Sequence, residues 1–131
     1  MRLVYDTLPL ANAKGTYRWA LSAVTDIHGN TVKYAYSCDG SECYLQSIAY
    51  ADGPERCRTV AGQRICIQAL EGARTRFYYQ DRPDPVSYGA GDELAVTSKR
   101  LKTIEVRMAF QLVRAYALSR TGGFLAWRFL A

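Results

Sequence analysis

The sequence predicts an all-β fold, an antiparallel β-hairpin meander, on three observations. Short runs rich in Tyr, Val, Ile and Thr recur along the chain, and Gly, Asp, Asn and Pro punctuate them at the intervals of hairpin turns. Helical periodicity is poor throughout. Ten tyrosines in 131 residues add to the preference for pleated, half-buried surfaces.

Residues 1–16 are a lead-in, residues 17–119 the meander, and residues 120–131 an apolar tail of different character. The first strand covers residues 17–25, with Tyr17, Trp19 and Leu21 on one face. It enters a turn at His28-Gly29-Asn30, where glycine adopts positive φ without a Cβ clash. The chain returns over residues 31–37 with Val32, Tyr34 and Tyr36 sharing a face. Gly40-Ser41 suits a type II′ turn and leads into a strand over residues 43–51. Apolar residues change face between Leu45 and Ile48, which predicts a bulge there.

A third tight turn, Ala61-Gly62, joins residues 56–60 to residues 63–68, and a longer strand follows over residues 73–81. In that strand Phe77 and Tyr79 face one side while Arg74, Arg76 and Tyr78 face the other. Pro83-Asp84-Pro85 then stops regular structure, since proline donates nothing to a ladder, and a long loop is expected to about Val96. Two closing strands, residues 99–108 and 111–119, are joined at Ala109-Phe110.

The four cysteines fall on two of these hairpins. Counting outward from Gly40-Ser41 places Cys38 opposite Cys43, and counting outward from Ala61-Gly62 places Cys57 opposite Cys66. Opposed residues at non-hydrogen-bonded positions lie within disulfide reach, so each bridge would clip its own hairpin and would require an oxidising compartment. Two alternatives stand beside this one: four reduced cysteines, the expected state in a cytosol, and a zinc site, although the spacing misses the short paired knuckles of zinc ribbons.

Composition bounds the rest. A 49% hydrophobic content suits one folded unit with a modest core. The net charge of +5 would attract anions, but Lys and Arg are dispersed, which reads as a solvated basic surface rather than a nucleic-acid site. The most apolar stretch, at the C-terminal end, is interrupted by Arg128, so membrane insertion is not expected. Asp6 arrives before a signal-peptide core could form, so export, if it occurs, is expected to be encoded elsewhere.

No catalytic constellation is legible. The single histidine, His28, sits in a predicted turn without a nucleophile arranged beside it. Asp81 with Asp84 and Asp92 with Glu93 are carboxylate pairs in loop sequence, where solvent exposure is the ordinary outcome, and they lack the ligand spacing of a calcium loop. Gly89 and Gly91 precede Asp92-Glu93, whose charge opposes phosphate binding. Arg74, Arg76, Phe77, Tyr78 and Tyr79 superficially suggest an RNA-stacking strand, but an aromatic core face alternating with a basic outer face gives the same letters. The expectation is therefore no enzyme, no metal and no cofactor, with Asp81, Arg82, Asp84 and Tyr88 marking a candidate interaction loop.

Two groups of motifs carry a family resemblance. In the segment Trp19 to Tyr36, an Asp26-Ile27-His28-Gly29-Asn30 turn before Tyr34-Ala35-Tyr36 resembles the strand-turn-strand unit of RHS and YD-repeat proteins. Phe77-Tyr78-Tyr79-Gln80-Asp81-Arg82-Pro83-Asp84-Pro85, then Tyr88 and Gly91, then Lys99 to Arg107, then Leu112 to Tyr116, resemble in order the SpvB and Tc insecticidal toxin B-component family. The resemblance covers about residues 16–119 and implies an open segment of a larger RHS-type β-shell in a secreted bacterial toxin. Its implied partners are other segments of the same shell and a pore-forming toxin component. The ADP-ribosyltransferase chemistry found in that family belongs to a separate domain, and its Ser-Thr-Ser and Glu-x-Glu motifs are absent from this sequence. The Cys57 to Cys66 hairpin and the apolar ending depart from the family pattern; Phe124, Trp127 and Phe129, if exposed, would favour aggregation. The competing reading is a small disulfide-clipped β binding module, an adhesin or carbohydrate binder, making contacts through exposed tyrosines and the loop from Pro83 to Val96.

Overall fold

A computed structural model describes residues 4–12, 14–40, 42–52, 56–67, 72–90, 93–121 and 124–130. They form ten strands: β1 Val4–Asn12, β2 Gly15–Thr25, β3 Thr31–Asp39, β4 Glu42–Asp52, β5 Arg56–Val60, β6 Gln63–Ile67, β7 Ala73–Ala90, β8 Glu93–Met108, β9 Gln111–Thr121 and β10 Phe124–Leu130. Eight of them build one antiparallel sheet in the order β1-β2-β3-β4-β7-β8-β9-β10, and β5-β6 is a separate two-stranded sheet inserted between β4 and β7. The meander expectation holds, since every neighbour in the large sheet except across the insertion is also the next strand in sequence.

Local chemistry explains the turns. Asp26 organises the β2–β3 turn: its Oδ1 accepts the backbone N–H groups of His28 (2.8 Å) and Asn30 (2.9 Å), and its Oδ2 accepts Asn30 Nδ2 (2.7 Å). Gly29 supplies the positive φ of 83° that the bend requires. At the β5–β6 turn both Ala61 (φ 49°) and Gly62 (φ 78°) are left-handed, the geometry of a type I′ hairpin. At the Gly40-Ser41 turn Gly40 has φ 63°, while Ser41 lies outside the described residues.

The predicted bulge is present. Ala35 faces Ser47 but Tyr36 faces Leu45, so Gln46 is the extra residue and the apolar side chains of β4 keep their face on either side of it. Beyond it the register sets Cys38 opposite Cys43, and in the small sheet Cys57 opposite Cys66. Both pairs are disulfide-bonded with Cα atoms 3.9 Å apart, at the positions that counting outward from each turn sets opposite one another.

Three expectations are corrected. Residues 1–16 are more than a lead-in: β1 pairs along β2, and Pro9 is accommodated because β1 is an edge strand whose other side needs no donor. The loop expected from Pro83 to about Val96 is instead a continuation of the β7–β8 ladder, from Val86 opposite Thr97 to Ala90 opposite Glu93. Prolines interrupt the ladder only locally, because Arg82-Pro83-Asp84-Pro85 bulges out between the Asp81–Lys99 and Val86–Thr97 pairs and the register resumes. Gly91 and Asp92, part of that expected loop, lie outside the described residues. The apolar ending, read as a break from strand pattern, forms β10 and pairs with β9 from Phe124–Thr121 to Leu130–Ala115. Its run of apolar residues suits a strand as well as it suits a disordered tail, and the unpaired edge of β9 offers the ladder.

Candidate functional site

Cross-strand partners share a face, so the registers divide the sheet cleanly. Tyr34, Ile48, Thr75 and Val106 form one row, and Phe77, Ile104 and Tyr116 another, on a predominantly apolar face. Each of these side chains is only partly buried. Among the described residues the buried ones are few: Leu10, Tyr44, Ala95 and Ala115 among the apolar ones, and Glu42 among the charged ones. Four of these five lie toward the end of the sheet where the β3–β4 turn meets the extended part of β7 and β8, and that end is the candidate site.

Glu42 opens β4 and is 8% exposed. Its Oε1 accepts Arg18 Nη2 from β2 at 2.6 Å and the Cys43 N–H at 3.1 Å, and its Oε2 accepts the Tyr88 hydroxyl from β7. Leu10 is the cross-strand partner of Arg18, and Ala95 that of Tyr88, so the polar contacts are ringed by buried apolar surface. Burial pulls the Glu42 carboxyl upward, but the hydrogen bonds from Tyr88 and Arg18 outweigh it and leave the group below the usual glutamate range. Burial and the hydrogen bond to Glu42 push the Tyr88 phenol up to about 12.

Next to this clamp, Tyr44 serves as a backbone acceptor. The amides of Ser98 and Lys99, beside the Arg82–Pro85 excursion, donate to its hydroxyl oxygen at 2.9 and 3.2 Å. Its ring packs at 53° to Tyr79, centroids 5.2 Å apart, and the Tyr79 hydroxyl donates to the Leu45 carbonyl at 2.8 Å. Ser98 Oγ donates to Asp39 Oδ2 (2.7 Å), and Lys99 Nζ lies 3.0 Å from Asp81 and 4.0 Å from Asp39. Hydrogen bonding to Asp81 raises the Lys99 ammonium above its ordinary value.

The residues singled out by sequence therefore divide. Asp81 pairs with Lys99 and is largely exposed, and Arg82 folds back on Asp84, donating to its carbonyl (3.2 Å) and its carboxylate (3.4 Å). Tyr88 turns inward to Glu42 instead of outward to a partner. The disulfide Cys38–Cys43 sits directly beside the clamp, whereas Cys57–Cys66 belongs to the inserted hairpin. Of the proposed carboxylate ligands, Asp92 lies outside the described residues; among the described residues no three His, Cys, Asp or Glu side chains converge as metal ligands. Arg18, Glu42 and Tyr44 carried no motif: Glu42 reaches partners 24 and 46 positions away, and nothing local in the sequence announces that. Chemically the arrangement is a junction, in which one carboxylate absorbs donors from β2, β4 and β7 and one phenol oxygen absorbs two backbone donors from β8.

No protein-family model matches the chain, and no curated protein does. Among solved structures, the fold is similar to the N-terminal domain of the effector protein SpvB from Salmonella typhimurium strain LT2, with a TM-score of 0.74 and 14% sequence identity. The match covers 94% of this chain and 54% of that one, so the chain spans about half the length of that structure. At this identity the likeness is one of fold.

Proposed function

We infer that the chain is a non-catalytic structural segment of a secreted bacterial toxin of the SpvB and Tc B-component type, contributing to a shell or assembly surface. The observation that carries this reading is an uncovered apolar face. A compact monomer of 14.7 kDa exposes roughly 6,900 Å² by the scaling of globular proteins, whereas this chain exposes 9535 Å², and among the described residues no large side chain is fully buried. A single sheet with a half-buried row such as Phe77, Ile104 and Tyr116 gains its missing burial from a neighbouring layer. The partners this reading assigns are other segments of the same shell and a pore-forming component.

The shared fold with a toxin domain supports the family, and the ordered motifs from Trp19 to Tyr116 support it independently. The two disulfides support an extracellular destination, since such bonds persist in oxidising compartments. Light scattering with an apolar-surface dye on the purified chain tests the reading. The expected result is strong dye binding with self-association; a tight monomer that binds no dye would show a self-sufficient core and would favour the disulfide-clipped binding module.

A further inference from the structure

The face opposite the apolar one is basic. Lys33, Ala49, Arg74 and Arg107 follow one another across β3, β4, β7 and β8 in a single row, and Ala35, Ser47, Arg76 and Glu105 form the row beside it. These rows carry four cations and one carboxylate. That carboxylate, Glu105, is engaged at Oε2, which accepts both Arg107 Nε at 3.0 Å and the Tyr78 hydroxyl at 3.1 Å. Lys33 and Arg76 are exposed.

Two adjoining hollows follow these rows. One, of about 480 Å³, lies between Lys33 and Arg74 over Ser22 and Ser47; the other, of about 340 Å³, lies along Arg74, Arg76, Gln46 and Tyr78. They share Ser47 and Arg74, so they read as one groove across the middle of the sheet. The groove offers guanidinium and ammonium groups for acidic substituents, serine and glutamine side chains for neutral hydroxyls, and the ring of Tyr78, an exposed residue, as a flat contact. Nucleic acid is the poorer fit, because single-strand binding needs several stacking rings. Tyr34 and Phe77 also border the two hollows, but by register their side chains share the face of Ile48 and Ile104, and among the described aromatic residues lining the groove Tyr78 is the one on the basic face.

We propose that this basic groove binds an acidic polysaccharide, with Lys33, Arg74 and Arg76 engaging carboxylate or sulfate groups and Tyr78 packing on a sugar ring. The proposal is independent of the shell reading, since it concerns the opposite face. It is tested by titrating the purified chain at low salt with polygalacturonate, heparin, dextran, polyglutamate and an oligodeoxynucleotide, with the two acidic polysaccharides distinguishing carboxylate from sulfate recognition. Polygalacturonate or heparin is expected to bind and dextran not to. The pair K33Q and R76Q should weaken binding at least about tenfold, while the pair R58Q and R64Q, which removes equal charge from the exposed inserted hairpin, should change it less than about twofold. Amide-exchange protection of residues 33–35, 47–49 and 74–78 on adding polysaccharide to the unsubstituted chain gives a readout free of any folding effect of the substitutions. Equal losses from both pairs, polyglutamate or oligodeoxynucleotide binding as tightly as the polysaccharides, or no protection of the groove strands would overturn the proposal.

Discussion

At Glu42 a single carboxylate takes donors from β2, β4 and β7, which gives individual side chains unusual leverage over this sheet. Glu42→Gln should lower unfolding free energy by about 1–3 kcal/mol in urea titrations, because it replaces an acceptor with a donor facing donors. The lower half of that range is expected, since the Arg18 side chain is 46% exposed and its ion pair is screened. The pH dependence has two signs. Glu42 is lowered in the fold, so its contribution is full above the usual glutamate range and disappears as pH falls through the lowered folded value. Tyr88 is raised from 10.0 to about 12, so its contribution is full below 10 and is lost as pH rises toward 12. Stability measured against pH should therefore fall at both extremes, and Tyr88→Phe should reduce the alkaline loss without abolishing it, because Tyr36, Tyr79 and Lys99 are raised in the fold as well. Backbone strain gives a second residue-scale prediction. Ala61 (φ 49°) and Ala109 (φ 52°) hold a left-handed conformation disfavoured by their Cβ atoms, so Ala61→Gly or Ala109→Gly should stabilise by about 0.5–1 kcal/mol. A drop in melting temperature for both would refute that account.

The two clipped hairpins are alike in chemistry and unlike in consequence. Each closes a short loop, for which the chain-entropy relation gives about 2 kcal/mol at a separation of 5 and about 2.6 kcal/mol at a separation of 9. Cys38–Cys43 lies in the large sheet next to Glu42, so Cys38→Ser with Cys43→Ser should lower the global unfolding midpoint. Cys57–Cys66 fastens a two-stranded sheet that, among the described residues, pairs with no strand of the large one, so its removal should raise amide exchange within β5 and β6 while the midpoint of the large sheet stays put. Equal midpoint shifts for the two double variants would mean that the inserted hairpin is energetically continuous with the sheet.

For the molecule as a whole, the governing fact is the area left uncovered. An unfolded chain of 14.7 kDa exposes roughly 21,000 Å², so folding to 9535 Å² buries about a fifth less surface than folding to a compact sphere-like monomer. The urea m-value follows the buried surface, and it should lie about a fifth below that of compact domains of the same length. An m-value at the compact level would indicate that the apolar face is covered in solution, by self-association or by closure of the sheet upon itself.

Much of the fold was legible because it is encoded locally. Turn residues such as Asp26, Gly29 and Gly62 act within a few positions, and once a two-residue turn is placed the register of Cys38 with Cys43 and of Cys57 with Cys66 follows by counting. The face change between Leu45 and Ile48 located the Gln46 bulge for the same reason, as strand alternation is strictly periodic. Sequence alone thus determined the strand class, the hairpin order, the disulfide partners and the split between aromatic and basic faces of β7. It misjudged β1, the β7–β8 extension and β10, where Pro9, Pro83, Pro85 and an unbroken apolar run hide pairings that depend on a neighbouring strand. The clamp of Arg18, Glu42 and Tyr88, the service of Tyr44 to the Ser98 and Lys99 amides, and the basic row from Lys33 to Arg107 were decided only by the tertiary structure. Each joins residues far apart in the chain, and which of them meet depends on how strands with bulges and a proline excursion stack side by side, a sum of registers that no single segment contains.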